Sequence, residues 1–343
     1  MKVSRNSALD SCTFIKVILM ILVVLYHSSV FWTKSWLDVV VVQNDSNFLN
    51  IFSRWLNSFH VYGFTLVSGY IFKYMIKNGK YNNFKIFLNN KLKRLILPYL
   101  FVATIWVAPI SSIIFSLDKK ELFYKYVLCI NPSQLWFLWM LFFVFIIARR
   151  LRNIISNDIY SALICIVSYS IGIVAGKILP NIFCIWTSFR FLTFFIIGMK
   201  INEKLDIKLK NISIYYYIIL HSSLFIIVTL IESKTGIIYS LLNLGFTYLM
   251  NITGSLMAFY VLRVVSTKFD WQNSKLFNKL SDKTMVIYLF HQQVIYFTII
   301  LLNGKIPPLL HMLVNFIIAM IISHIISTLL LKNKVTRMLI GEN

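Results

Sequence analysis

Lys16 and His27 lie eleven residues apart within the apolar stretch Phe14 to Trp32. An α-helix turns once in about 3.6 residues and rises about 1.5 Å per residue, so this gap is three turns and about 16 Å, and the two side chains share one helix face. A cation at a membrane surface and an imidazole buried beyond it suit a long anionic donor whose reactive end reaches inward. Ionisable groups inside membrane segments are functional candidates by default.

Two further ionisable residues stand out in apolar surroundings. His60 lies near the start of the second apolar stretch, at a depth where it could meet His27. Arg190 lies mid-helix between Ile185 and Ile197, and a central arginine costs about 2.5–3.5 kcal/mol on the more lenient insertion scale. We therefore expect a protein counter-charge or a water-filled cavity to face Arg190.

Each remaining candidate also has a structural reading. Lys91 and Arg94 could serve only as topology signals, and Ser68-Gly69 could only permit close helix packing. Trp136 lies where an aromatic belt at the membrane interface is expected. For His291, packing and contact with a donor are equally compatible with the sequence. Lys16 could snorkel at a helix end, but its spacing from His27 argues for more.

The composition indicates what positions these residues. The chain has 343 residues, 58% of them hydrophobic, and a mean hydropathy of +0.75, values typical of a polytopic membrane protein. We predict an all-α fold with a single domain spanning residues 1–343 and about ten transmembrane helices in one bundle. Apolar runs place the helices near 14–32, 56–72, 95–115, 133–148, 160–178, 181–199, 212–231, 236–262, 284–302 and 309–331.

The net charge of +22 follows the membrane topology. Alternate loops carry 25 of the 34 basic residues, including Lys2, Arg5, Lys204 and Lys210, so the positive-inside rule places both termini in the cytoplasm. We call the side with these basic loops the inner side. Anionic membrane lipid is a sufficient partner for most of this charge, which argues against nucleic-acid binding. The four cysteines have no metal-binding spacing, and no ligand pattern predicts a metal or prosthetic group.

Six segments in chain order resemble the membrane acyltransferase-3 family, in which a basic residue precedes a histidine by eleven positions. They are Arg5 to Asp10 with the Lys16 to His27 spacing, the aromatic-rich stretch Ser58 to Tyr70, Lys91 to Tyr99 with Arg94-Leu and Pro98, Leu135 to Leu138, Phe194 to Gly198, and Ile287 to His291. The sequence departs from the family pattern where lysine replaces the commoner arginine at 16 and 91. Lysine keeps the charge and loses the planar fork of arginine.

The resemblance implies transfer of an acyl group, usually acetyl from acetyl-CoA as the donor substrate, to a hydroxyl of a cell-envelope carbohydrate. The general base would be His27, because a neutral imidazole titrating near pH 6.5 can take the proton of an attacking alcohol. Lys16, Lys91 and Arg94 would bind the phosphates of CoA. The candidates for the oxyanion or the acceptor are His60, Trp136, Arg190 and His291.

The predicted function is therefore a membrane O-acyltransferase, with acyl-CoA, a polysaccharide or lipid-linked sugar, and membrane lipid as its partners. His27 in the outer half of its helix favours an acceptor presented from outside, and a cytoplasmic, lipid-linked acceptor is the alternative. The bacterial cytoplasmic membrane is the expected location. The alternative is a non-enzymatic transporter of polysaccharide or lipid-linked sugar, which has no need of phosphate-binding cations facing an imidazole. A structural scaffold accounts for neither His27 nor Arg190.

Overall fold

The computed structural model describes residues 7–36, 38–201, 206, 208–209 and 211–342, and no β-strand occurs among them. Lys2, Arg5, Lys204 and Lys210 lie outside the described residues. The helices are α1 Ser7–Ser29, α2 Asn47–Asn57, α3 His60–Lys77, α4 Phe84–Phe115, α5 Lys119–Leu122, α6 Trp136–Arg150, α7 Arg152–Ile155, α8 Asp158–Ile178, α9 Ile185–Lys200, α10 Ile214–Glu232, α11 Ile237–Lys268, α12 Lys275–Ser281, α13 Thr284–Leu302, α14 Pro308–Leu330 and α15 Lys334–Leu339.

The prediction of an all-α polytopic membrane protein is confirmed. Nine helices of the described chain are long and apolar enough to span a membrane, namely α1, α4, α6, α8, α9, α10, α11, α13 and α14. The helix α3 is not among these nine, because His60, Lys73 and Lys77 lower its mean hydropathy. It nevertheless lies inside the bundle, where it packs against α1, α9 and α11, and serves as a tenth helix.

The helix α1 occupies the middle of the bundle. It packs against α3, α11, α13 and α14, and about 61% of its most apolar 18-residue segment is buried in protein. Its apolar side chains Ile15, Leu19, Met20 and Val24 are fully buried. A helix that is buried on nearly every side can carry polar residues toward a protein interior without exposing them to lipid.

The second predicted helix, 56–72, is corrected by the structure to His60–Lys77. A separate helix, α2, precedes it on the outer side, where the Ser46 hydroxyl caps its start by accepting from the backbone N–H of Leu49 at 3.3 Å. Phe59 separates the two helices, because its backbone angles are not helical. His60 is therefore the first residue of α3.

The third predicted helix, 95–115, is also corrected, because α4 begins at Phe84. The amide oxygen of Asn83 caps this start by accepting from the backbone N–H of Lys85 at 2.8 Å. Pro98 lies inside the helix rather than at its start. A proline cannot donate to the carbonyl four residues before it, and a π-helical segment, Leu92–Ile96, widens the helix at this point. Pro109 follows a second such segment, Ala103–Val107.

The first predicted helix, 14–32, begins earlier in the structure, at Ser7, and α11 continues past 262 to Lys268. The other predicted helices match the structure within a few residues. The helices α3 and α9 approach each other most closely at two glycines. A Cβ on Gly69 would lie 2.0 Å from the carbonyl oxygen of Phe195, and one on Gly198 would lie 2.0 Å from that of Leu66. Only hydrogen at these positions allows the two backbones to touch.

Candidate active site

One cavity of about 410 Å³ follows the predicted face of α1 through the bundle. Lys16 lines it toward the inner side and His27 toward the outer side. The facing wall comes from α3, α4, α6 and α13. The sequence-predicted residues Lys16, His27, Ser68, Lys91, Arg94 and Trp136 all line this cavity. Its volume lies within the range of small-molecule binding sites, about 300–1,000 Å³.

His27 and His291 form a pair at the deep end of the cavity. Nδ1 of His291 lies 2.8 Å from the carbonyl oxygen of Tyr288 and 3.2 Å from that of Ile287. A carbonyl can only accept, so Nδ1 of His291 carries the hydrogen, and Nε2 of the neutral ring is an acceptor. Nδ1 of His27 lies 2.9 Å from Nε2 of His291 and 3.0 Å from the carbonyl oxygen of Val23.

These contacts fix the tautomer of His27. Because both neighbours of its Nδ1 accept, Nδ1 donates, and Nε2 of His27 is left with its lone pair. An imidazole in this state can take a proton from an alcohol at Nε2. His291 thus orients His27, a relation that the sequence does not reveal because 264 residues separate the two.

Aromatic rings surround His27 on the outer side. The indole of Trp36 stacks on it at 5.8 Å between ring centroids, and the ring of Tyr296 packs edge-on against Trp36 at 4.9 Å. Tyr26 lies 4.9 Å from His27 and 4.8 Å from His60. Trp36 and Tyr26 therefore pack against the imidazole ring of His27. The outer segment from Thr33 to Arg54 supplies Trp36.

His60 has a different state. Its Nδ1 donates to the carbonyl oxygen of Leu56 at 2.6 Å, and its Nε2 is buried without a hydrogen-bond partner. The neutral ring therefore has no hydrogen to offer to an oxyanion. As an oxyanion donor His60 is disfavoured, which leaves Trp136 as the candidate that lines the cavity with His27.

The inner end of the cavity is lined by charged side chains, unlike the aromatic surroundings of His27. Arg94 is exposed there, and Lys16 is half-buried. Glu342 returns to this position from the C-terminal segment, after Gly341 packs against Pro98 and the backbone of Arg94. Burial raises the pKa of Glu342 above its ordinary value, although the positive charges of Arg94 and Lys16 oppose this shift. Two cations, Lys16 and Arg94, and two acidic side chains, Asp282 and Glu342, thus line the inner mouth.

Lys91 is less available than the sequence suggests. Its side chain is buried, and its ammonium lies 3.4 Å from the ring centroid of Phe145 and 5.1 Å from that of Tyr81. Such cation–π contacts stabilise a buried ammonium by up to about 2 kcal/mol. Lys91 lines the cavity from within this aromatic cage, whereas Arg94 reaches solvent.

An amide network, which the sequence did not single out, ties α13 to the start of α6. Nε2 of Gln134 donates to the carbonyl oxygen of Leu289 at 2.9 Å and to Oε1 of Gln293 at 2.7 Å. The hydroxyl of Tyr288 donates to the carbonyl oxygen of Gln134. Both Gln134 and Tyr288 line the cavity. The sequence signal that could have indicated this network is the presence of glutamines inside the apolar stretches.

Four predicted residues do not line this cavity, namely His60, Gly69, Arg190 and His291. His291 contacts His27 from behind it, and His60 packs against Tyr26 beside it. Arg190 lines a neighbouring outer pocket, which shares only Val61 and Trp136 with the cavity. Gly69 faces Phe195 in the contact between α3 and α9, whereas the hydroxyl of Ser68 donates to the carbonyl oxygen of Phe64 at 2.9 Å beside the cavity. Among the described residues, no three His, Cys, Asp or Glu side chains converge as metal ligands.

Comparison with known families agrees with the resemblance noted above. The acyltransferase-3 family model, described as an acyltransferase domain, matches residues 9–332. Searches of curated proteins and of solved structures found no significant match. Because the match covers nearly the whole chain, including every helix that lines the cavity, the protein is an integral multi-pass membrane acyltransferase and belongs to the acyltransferase-3 family.

Proposed function

We propose that this acyltransferase moves an acetyl group from acetyl-CoA to a hydroxyl of a cell-envelope carbohydrate, either a polysaccharide or its lipid-linked precursor. One observation carries the proposal: a single cavity is lined by cations at its inner mouth and, at the other end, by an imidazole whose Nδ1 is engaged by His291. The expected location is the cytoplasmic membrane of a bacterium.

The donor matches the cavity in charge and in length. Acetyl-CoA carries phosphates at one end and a thioester at the other, joined by a narrow pantetheine arm. Lys16 and Arg94 would bind the phosphates through charge-assisted hydrogen bonds at the inner mouth. The arm would then follow α1 over the three turns, about 16 Å, that separate Lys16 from His27. This arrangement places the thioester beside the imidazole.

The chemistry follows from the tautomer of His27. Nε2 of His27 takes the proton of the sugar hydroxyl while the alcohol oxygen attacks the thioester carbonyl. In the resulting imidazolium, Nδ1–H of His27 still donates to Nε2 of His291, and Nδ1–H of His291 still donates to the carbonyl oxygen of Tyr288. The tetrahedral intermediate collapses by expelling the thiolate of CoA, which takes the proton from Nε2. The products are the acetyl ester and CoA, and His27 returns to its starting state.

The stabiliser of the oxyanion is Trp136 in this proposal. Its indole lines the cavity with His27, and the indole N–H is a donor only. The acceptor hydroxyl arrives from the outer side, since His27 lies in the outer half of α1. Anionic lipid around the inner loops completes the set of partners.

The proposal is tested with the purified protein in lipid nanodiscs and radiolabelled acetyl-CoA. The wild type is expected to release CoA thiol and to move label to an envelope carbohydrate fraction, and His27→Ala is expected to do neither. If the wild type cleaves no thioester with any fraction, yet moves lipid-linked sugar across a liposome membrane, the transporter reading replaces the proposal.

A further inference from the structure

A second pocket of about 270 Å³ lies on the outer side of the bundle, beside the main cavity. The start of α9 supplies Arg190, and α3 supplies Tyr62. Asn131 comes from the outer loop before α6, and Trp136 forms the wall toward the main cavity. Its volume has room for a sugar ring, and its polar rim faces the side from which the proposed acceptor arrives.

Arg190 points to an anionic ligand. Its Nε is buried without a hydrogen-bond partner. None of the ion pairs found among the described residues includes Arg190. Gly172 makes room for the side chain, because a Cβ there would lie 2.5 Å from Cγ of Arg190. The bundle thus makes room for an arginine and, within the part of the chain that the structure describes, pairs it with no carboxylate.

The rest of the pocket suits a carbohydrate. The ring of Tyr62 stacks on Phe191 at 4.8 Å between centroids and 7° between planes, and Trp136 packs on the same Phe191 at 5.4 Å. Flat aromatic faces hold the apolar side of a sugar ring, whereas an exposed amide such as that of Asn131 can hydrogen-bond its hydroxyls. A guanidinium adds bidentate recognition of a carboxylate or phosphate.

We propose that this outer pocket is the acceptor subsite, and that it selects an acidic sugar by pairing its carboxylate or phosphate with Arg190. The inference rests on the proposed function, because it names the acceptor class for the same reaction. Val61 and Trp136 line both chambers, so a sugar held by Arg190 would have a hydroxyl near the wall that faces His27. Arg190 binds the substrate and takes no part in proton transfer.

The test measures binding without turnover. Thermal unfolding of the intact protein in nanodiscs is followed while glucuronate, glucose 6-phosphate or glucose is added, since a ligand that binds the folded state raises the unfolding midpoint. Glucuronate or glucose 6-phosphate is expected to bind about tenfold or more tightly than glucose. The stronger of the two acids tells whether carboxylate or phosphate is the recognised group.

Three variants make the result specific. Arg190→Gln is expected to abolish the preference for the acidic sugar, and Arg190→Lys to keep part of it. Arg54→Gln is the matched control, because Arg54 also lies on the outer side but pairs with Glu232 away from the pocket. Background hydrolysis of acetyl-CoA by Arg54→Gln is expected to equal that of the wild type. The binding measurement itself needs no acetyl-CoA, so its outcome is independent of the proposed donor chemistry. Equal binding of all three sugars, or an undiminished preference in Arg190→Gln, would overturn the inference.

Discussion

Nε2 of His291 lies 2.9 Å from Nδ1 of His27, and the backbone carbonyls beside His291 determine which nitrogen donates. Many hydrolases orient a histidine with a carboxylate, but here a second neutral imidazole does so. In the proposed mechanism, the positive charge that develops on His27 would be stabilised by the lone pair of His291 and by the carbonyl dipole of Val23. This arrangement introduces no fixed negative charge into the membrane interior.

His27→Gln is expected to lower acetyl transfer by about 10²- to 10⁴-fold, because the variant removes the proton acceptor. Its unfolding temperature should stay close to that of the wild type. Release of CoA thiol measures the loss, and His324→Gln serves as the control, since His324 contacts Lys283 at the inner surface and does not line the cavity. A His27→Gln protein with full activity would remove His27 from the mechanism.

His291 is predicted to act as a positioning residue. His291→Leu should lower kcat with little change in the KM for acetyl-CoA, because the contact to Nδ1 of His27 matters when charge develops on the ring. His291→Gln should restore part of kcat, since its amide oxygen can accept the same hydrogen. Equal losses in both variants, with a raised KM, would indicate a purely structural role.

Lys16 is predicted to bind the donor. Lys16→Ala should raise the KM for acetyl-CoA about tenfold to a hundredfold and leave kcat nearly unchanged, because a charge-assisted hydrogen bond to a phosphate is lost in ground state and transition state alike. Lys16→Arg should remain near the wild type. The control is Lys93→Ala, an exposed cation next to Arg94 that does not line the cavity.

Glu342 is predicted to compete with the phosphates of the donor. Burial raises the pKa of Glu342 above its ordinary value, so its carboxylate takes up a proton at a higher pH than an exposed glutamate does. The neutral form no longer repels phosphate, and the KM for acetyl-CoA should therefore decrease on acidification. Glu342→Gln should have a lower KM at neutral pH and should lose this part of the pH dependence. An identical pH profile in both proteins would contradict the prediction, because the phosphates of CoA titrate equally in each.

Gly69→Ala is predicted to destabilise the bundle by about 1–3 kcal/mol, since its methyl group would overlap the backbone of Phe195, which cannot rotate away. Gly245→Ala is the matched control. A Cβ at Gly245 would meet no atom within 4 Å, and alanine favours helix there. Unfolding in detergent measures both changes, and an equally stable Gly69→Ala would mean that α3 and α9 do not touch at this glycine.

Hydropathy and helical periodicity predicted most of the fold and one side of the site. Lys16 and His27 share a face because both lie on one helix, where spacing alone sets direction. The π-helical segment that includes Arg94 could not be predicted, because it depends on how the chain accommodates Pro98 inside a helix. The sequence resembled the family strongly enough to name it, and the family match confirms that resemblance.

Contacts between distant segments could not be predicted from spacing. The partnership of His27 with His291 and the return of Glu342 to the inner mouth both depend on how helices pack in three dimensions. Arg190 was predicted to face a counter-charge or a water-filled cavity. It lines a pocket, and no partner occurs in the described residues' ion pairs.

The stacking of Trp36 on His27 also bears on the energetics of the cell. Because the cavity extends along α1 from Lys16 to His27, only a short length of protein would separate it from the outer side of a membrane. A proton-accepting imidazole in that position would offer a route for protons if water reached it from both sides. We expect the indole of Trp36, which stacks on His27 and packs against Tyr296, to limit the access of water to this imidazole and so to limit proton passage through the protein.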